Sequence, residues 1–173
     1  FIALAENKDI TLNPRFFNDD KFLLQSEFRQ KNNKSDHIAD LSQFVSTGES
    51  SKGHLFYNFK KSFESENFDD VELELKLAQV SNDTYLKSYK IESPIINNET
   101  NLINSINFDL YDENKTISTS LNIYEDLSKT NNDRYEYVPN FSFSKILNDN
   151  YSFRSSGYYK NYNTNITEKV LIN

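Results

Sequence analysis

Val71-Glu72-Leu73-Glu74-Leu75-Lys76-Leu77-Ala78 puts an apolar side chain at every second position and, up to Lys76, a charged one between. In an extended chain, successive side chains point to opposite faces. This stretch therefore presents Val71, Leu73, Leu75 and Leu77 on one side and Glu72, Glu74 and Lys76 on the other. A helix would scatter the same leucines around its circumference. The alternation recurs in both directions along the chain. Ile10, Leu12, Pro14 and Phe16 stand against Thr11, Asn13, Arg15 and Phe17; Leu55, Tyr57 and Phe59 against Phe56, Asn58 and Lys60; Ile117, Thr119, Leu121 and Ile123 against Ser118, Ser120 and Asn122.

Polar clusters separate these runs: Asn18-Asp19-Asp20, Asn32-Asn33-Lys34-Ser35-Asp36, Asp112-Glu113-Asn114 and Asn148-Asp149-Asn150. With only 3 glycines and 3 prolines in 173 residues, the turns fall to Asn and Asp, which tolerate left-handed backbone and bond to their own main chain. The pattern predicts strands over 1–4, 9–17, 22–31, 37–45, 53–62, 71–80, 102–110, 116–126, 135–146, 151–162 and 168–172. The expected fold is all-β, an antiparallel up-and-down meander in one structural unit over 1–173. A longer connector, 81–101, holds Tyr85, Tyr89, Pro94, Ile95 and Ile96 and is expected to carry local structure.

Composition removes several classes of function. Cysteine is absent, so there is no disulfide and no thiolate chemistry. A net charge of −7 opposes binding to nucleic acid, which needs clustered Lys and Arg. No apolar run approaches the ~20 residues of a spanning helix. A spanning strand is still allowed, because it needs only alternate apolar residues and so keeps mean hydropathy low, here −0.74. The chain starts at Phe1 without a targeting pattern, so any such segment of the parent is expected outside this stretch.

Period two alone leaves two environments open. In a soluble β-sandwich or lipocalin-like module the apolar faces meet each other; in a membrane barrel they meet lipid, and the polar faces meet a wet lumen. The 11 Tyr and 14 Phe suit an interfacial girdle, but they also suit strands in general.

Asn7-Lys8-Asp9-Ile10-Thr11-Leu12-Asn13-Pro14-Arg15-Phe16, a turn, and then Leu23-Leu24-Gln25-Ser26-Glu27-Phe28-Arg29 resemble the first hairpins of the LptD (OstA) family of lipopolysaccharide-assembly barrels. Val80-Ser81-Asn82-Asp83-Thr84-Tyr85-Leu86 is similar to the family's motif after a later strand. Arg134-Tyr135-Glu136-Tyr137-Val138-Pro139 resembles an aromatic-then-proline strand entry. The chain departs from the pattern at Glu6, often proline in the family, and at Asn13, usually threonine.

The resemblance implies that this is the N-terminal part of a large outer-membrane barrel, a partial transmembrane β-barrel. It implies a periplasmic jellyroll domain upstream that meets the periplasmic Lpt bridge proteins, and an LptE-like lipoprotein plug in the lumen. The implied activity is delivery of lipopolysaccharide to the outer leaflet through a lateral gate, among membrane lipid in the cell outer membrane. In that frame Phe1, Ile2, Ala3 and Leu4 are the remainder of the gate strand, Pro14 is the second-strand gate proline, and Glu72, Glu74 and Lys76 face the lumen. The rival expectations are the soluble module and another outer-membrane receptor or porin barrel. If strand one ascends from the periplasm, the connector after the sixth strand falls on the periplasmic side, against the usual placing of long loops outside.

No catalytic residue, cofactor or metal is expected. His37 and His54 begin separate predicted strands without metal-ligand spacing around them. Asp19-Asp20, Asp69-Asp70 and Asp112-Glu113 read as solvated turns, since neither the spacing nor the central glycine of a calcium loop accompanies them.

Overall fold

The computed structural model describes residues 1–17, 20–48, 50–148, 150–162 and 169–172. Eleven strands follow in chain order: β1 Ile2–Ala5, β2 Lys8–Phe17, β3 Lys21–Asn32, β4 Ser35–Val45, β5 Lys52–Phe63, β6 Asp70–Val80, β7 Asn101–Asp112, β8 Lys115–Asp126, β9 Tyr135–Asn148, β10 Tyr151–Tyr162 and β11 Lys169–Ile172. Each pairs antiparallel with the next in one sheet ordered β1 to β11, so the expected meander is the fold. Strand ends differ from the sequence-based bounds by at most two residues. The sheet is open, with β1 and β11 at its two edges. The described residues form no second sheet, so the sandwich expectation does not hold.

Among the described residues helix is confined to a four-residue turn in the connector, α1 (Tyr85–Ser88), and a 3-10 turn at Asn131–Arg134. Among the described residues no helix is long and apolar enough to cross a membrane. The hairpins at 6–7, 33–34 and 113–114 close through two residues, on the rim reached by odd-numbered strands. The opposite rim carries the connections 81–100 and 127–134, and the described residues Asp20, 46–48 and 50–51 of the two shorter ones. Asp20 has φ 55°, the left-handed conformation for which the Asn/Asp-rich turns were chosen. Asp19 and the turn residue Asp149 lie outside the described residues.

Residues paired across strands share a face, so register sorts every side chain. Pro14 pairs with Leu24; Leu41 with Leu55; Tyr57 with Leu77; Leu75 with Ile106; and Ile106 with Leu121. Along its middle, from β2 to β10, this face carries no charged residue; Lys8, Lys61, Lys115 and Lys145 lie toward one rim and Glu125 toward the other. Leu12, Leu41, Leu55, Leu77, Ile106, Leu121, Phe141 and Phe153 are each between 38% and 52% exposed on it. No layer formed by the described residues covers them.

The packed core lies on the other, charged face. There the connector folds back and sets Tyr85, Leu86 and Ile91 against Leu23, Phe44, Phe56 and Ala78. Phe56 belongs to the polar set by alternation but is fully buried, because the connector lands on it. Where the connector leaves β6, the ladder to β7 stops at Lys76–Ser105. The Asn104 side chain then takes over, accepting from Ala78 N–H at 2.8 Å and donating to Ala78 C=O at 3.2 Å, so its amide replaces one peptide unit of the ladder.

Over β1 to β6 the charged face is concave. A cavity of about 730 Å³ is lined by residues of β1 to β6, among them Ala3, Asp9, Arg29, Asp36, Asn58 and Glu74, which a flat sheet would spread along a plane.

Candidate functional site

The candidate site has two parts, the open β1 edge and the charged face with its connector. At the edge, β1 pairs with β2 at Ile2–Ile10, Ala3–Asp9 and Ala5–Lys8 only, with an irregularity between Ala3 and Ala5. β2 and β3, by contrast, are in register over ten positions. Phe1, Ile2, Ala3 and Leu4 are all exposed. Pro14 is exposed on the apolar face and lies beyond the stretch of β2 that β1 covers, with Leu24 of β3 as its described partner. The short β1–β2 ladder thus owes its weakness to its few pairs and its irregularity. Pro14 instead interrupts the donor row of the exposed β2 backbone, since proline has no N–H to offer.

On the concave face, Glu72, Glu74 and Lys76 come together with residues of the flanking strands. Glu72 meets Lys60 at 2.7 Å, Glu74 meets Lys76 at 3.1 Å, and Asn107 Nδ2 donates to Glu74 Oε2 at 3.0 Å. Their alternates Val71, Leu73, Leu75 and Leu77 share the apolar face with Phe63, Phe59 and Tyr57. The ion pairs are partly exposed, so they position side chains more than they stabilise the sheet.

The connector is fastened at three places. Arg15 of β2 donates through Nη1 to the Tyr89 carbonyl at 2.6 Å, at the end of α1. Gln25 Nε2 donates to the Glu92 carbonyl at 2.8 Å and bridges to Asp40 at 3.1 Å. Arg134 pairs with Asp83 at one end of the connector and with Glu125 of β8, both at 2.7 Å. Burial works against the Arg134 charge, but Glu125 and Asp83 together raise its pKa above the ordinary guanidinium value.

Beneath the connector lies a buried polar chain that the sequence reading did not find. Tyr85 OH lies 2.7 Å from Ser42 Oγ, and Ser42 Oγ lies 2.6 Å from His54 Nδ1. His54 Nε2 is 3.3 Å from Asp40 Oδ2, and the side chains of His54 and Asp40 are wholly buried. That last approach is close but not aligned as a hydrogen bond. One consistent assignment has Tyr85 donating to Ser42, Ser42 donating to Nδ1, and the imidazole proton on Nε2 toward Asp40; the reverse directions satisfy the same atoms. Burial raises the Tyr85 pKa, against the opposing effect of its Ser42 bond, so the phenol keeps its proton.

Ser, His and Asp in line evoke nucleophilic catalysis, but a nucleophile must reach a substrate. Ser42 is buried and its oxygen is closed off by Tyr85. The chain is a fastening for the connector. Gly53 makes room for it: a Cβ there would stand 2.2 Å from the Ser42 carbonyl oxygen, and Gly53 exchanges hydrogen bonds with Ser81 at the start of the connector. His37, in contrast, lies on the apolar face with Nδ1 2.9 Å from Tyr57 OH.

Among the described residues no cluster of three or more metal-ligating side chains occurs. Asp69 of an acidic turn accepts a hydrogen bond from the Glu113 N–H at 3.2 Å, a turn-to-turn contact. No family model, curated protein or solved structure matches the chain.

Proposed function

We propose that this chain is the opening part of an outer-membrane β-barrel of the LptD type, which passes lipopolysaccharide to the outer leaflet through a seam at its first strand. The observation that carries this reading is the division of one open, curved meander into an uncovered apolar face without charge along its middle and a charged face that is concave over β1 to β6. A continuous apolar surface across nine strands exceeds what a soluble monomer leaves bare, and lipid is the solvent that suits it.

The β1 edge supports the second half of the reading. A strand held to its neighbour by three register pairs is the easiest one to move, and the β2 backbone beside it lacks a donor at Pro14. Movement at that seam would open a path from the polar lumen to the bilayer, and an amphiphile needs both environments at once. No bond is made or broken in such a step. An LptE-like plug and the periplasmic bridge proteins belong to the same proposal through the resemblance of Asn7–Phe16 and Val80–Leu86.

Depleting the full-length protein in its own cells tests the reading. Lipopolysaccharide at the cell surface, measured by accessibility to an external probe, is expected to fall while it accumulates inside. Undiminished surface lipopolysaccharide after depletion overturns the proposal.

A further inference from the structure

We propose that Lys8, Lys61, Lys115 and Lys145 form a collar on the apolar face that holds the phosphates of anionic lipid headgroups. The inference rests on the membrane reading above and adds a lipid preference to it.

Register puts all four on the apolar face at the rim of the short turns. Lys8 pairs with Gln30, which pairs with His37; Lys61 pairs with Leu73; and Lys145 pairs with both Lys115 and Phe153. The middle of that face has no charge, and its opposite rim presents Phe16, Phe22, Val45 and Leu55 instead of cations. Positive charge is thus confined to one level, the margin of the apolar band. A lysine stem can lie along apolar surface there while its ammonium reaches the headgroup layer.

Two contacts support that placing. The Lys61 ammonium sits 4.8 Å from the Phe63 ring centroid and that of Lys115 4.0 Å from the Phe68 ring centroid. Among the described residues none of the four lysines is in an ion pair. Asp112 is the register partner of Lys115 but is not bonded to it. Of the other described acids at this rim, Asp36 and Asp70 lie on the opposite, charged face, and Glu6, Glu64, Glu66, Asp69 and Glu113 stand in turns beyond the strand ends. Glu64 there is paired with Lys34.

Lys115 and Lys145 are the telling pair. Like charges directly opposite in a ladder repel, and among the described residues no carboxylate is paired with either of these two. An anion seated between them removes the repulsion. A lipid phosphate is delivered to this level by its own acyl chains, whereas free phosphate would have to come from bulk water without that anchoring.

The test uses the full-length protein reconstituted in phosphatidylcholine bilayers with a trace of spin-labelled phosphatidylglycerol or spin-labelled phosphatidylcholine. The fraction of each label slowed at the protein surface is the readout. Phosphatidylglycerol is expected to be enriched severalfold over phosphatidylcholine. The enrichment should fall toward unity in the Lys8→Gln, Lys61→Gln, Lys115→Gln, Lys145→Gln variant and should survive millimolar inorganic phosphate.

Equal slowing of the two labels with the parent protein, unchanged preference in the variant, or displacement by free phosphate at constant ionic strength each overturns the collar and leaves the barrel reading standing. No slowed lipid of either kind sinks both. If the fourfold variant fails to assemble, Lys115→Gln with Lys145→Gln must lower the preference and Lys115→Arg with Lys145→Arg must keep it; otherwise the proposal is wrong.

Discussion

Ser42 is the residue through which the connector holds the sheet, because its single hydroxyl serves both Tyr85 OH and His54 Nδ1. Replacing it with alanine leaves a buried phenol and a buried imidazole nitrogen without their shared partner, and an unsatisfied buried group costs about 1–3 kcal/mol. Ser42→Ala is therefore expected to lower the urea-unfolding free energy of the bilayer-inserted full-length protein by about that much. A change near zero would mean that water replaces the hydroxyl. Gly53 has a steric role instead, since a methyl group would collide with the Ser42 carbonyl; Gly53→Ala should cost about 1–3 kcal/mol in the same measurement. Pro14 acts at the edge. Pro14→Ala restores an N–H to the β2 backbone and, if that donor finds an acceptor on a neighbouring strand, strengthens the seam by about 0.5–1.5 kcal/mol. Less lipopolysaccharide at the surface and altered entry of large hydrophobic antibiotics are the expected outcomes; delivery equal to the parent would reduce Pro14 to an ordinary edge proline.

The connector is the element that turns a plain meander into a particular one. Arg15 ties its helical turn to β2, so the strand next to the seam is also tied to the packed core over β3 to β6. A hydrogen bond from a charged donor contributes about 1.5–3 kcal/mol, so Arg15→Ala should let the connector open on the order of ten- to a hundredfold more often. Trypsin cleavage after Lys87 or Lys90 should accelerate in proportion, and an unchanged rate would show that Arg15 is no tether. The strands were legible in the sequence because period two and Asn/Asp turns are local signals, as at Val71–Leu77 and Asn32–Asp36. The fastening beneath the connector was not. Asp40, Ser42 and His54 become neighbours only through the β4–β5 register, and Phe56 is buried only because a loop thirty residues further on folds back over it. Alternation assigns a side chain to a face but does not say what covers that face. The edge was not legible either: the irregularity of the first strand at Ala3 and Ala5 has no sequence signal.

For the whole molecule, the uncovered apolar face has to meet a solvent that tolerates it. Leu75 sits mid-face between Phe59 and Ile106, so Leu75→Arg would place a charge at the level of hydrocarbon, at about 2–4 kcal/mol. Assembly of the full-length barrel, followed by heat-modifiable migration, should be impaired; assembly like the parent would count against a lipid-facing Leu75. Because this stretch has no cysteine of its own, a label can be set at a chosen position within it, which allows a more direct measurement of the same claim. Single cysteines placed in turn at positions 72 to 77 of the full-length protein in bilayers, each carrying a nitroxide label, can be probed by collision with apolar oxygen and with a water-soluble nickel chelate. The account predicts a period of two: labels at 73, 75 and 77 collide mainly with oxygen, and those at 72, 74 and 76 mainly with the chelate. Equal access of the chelate to all six positions would contradict it.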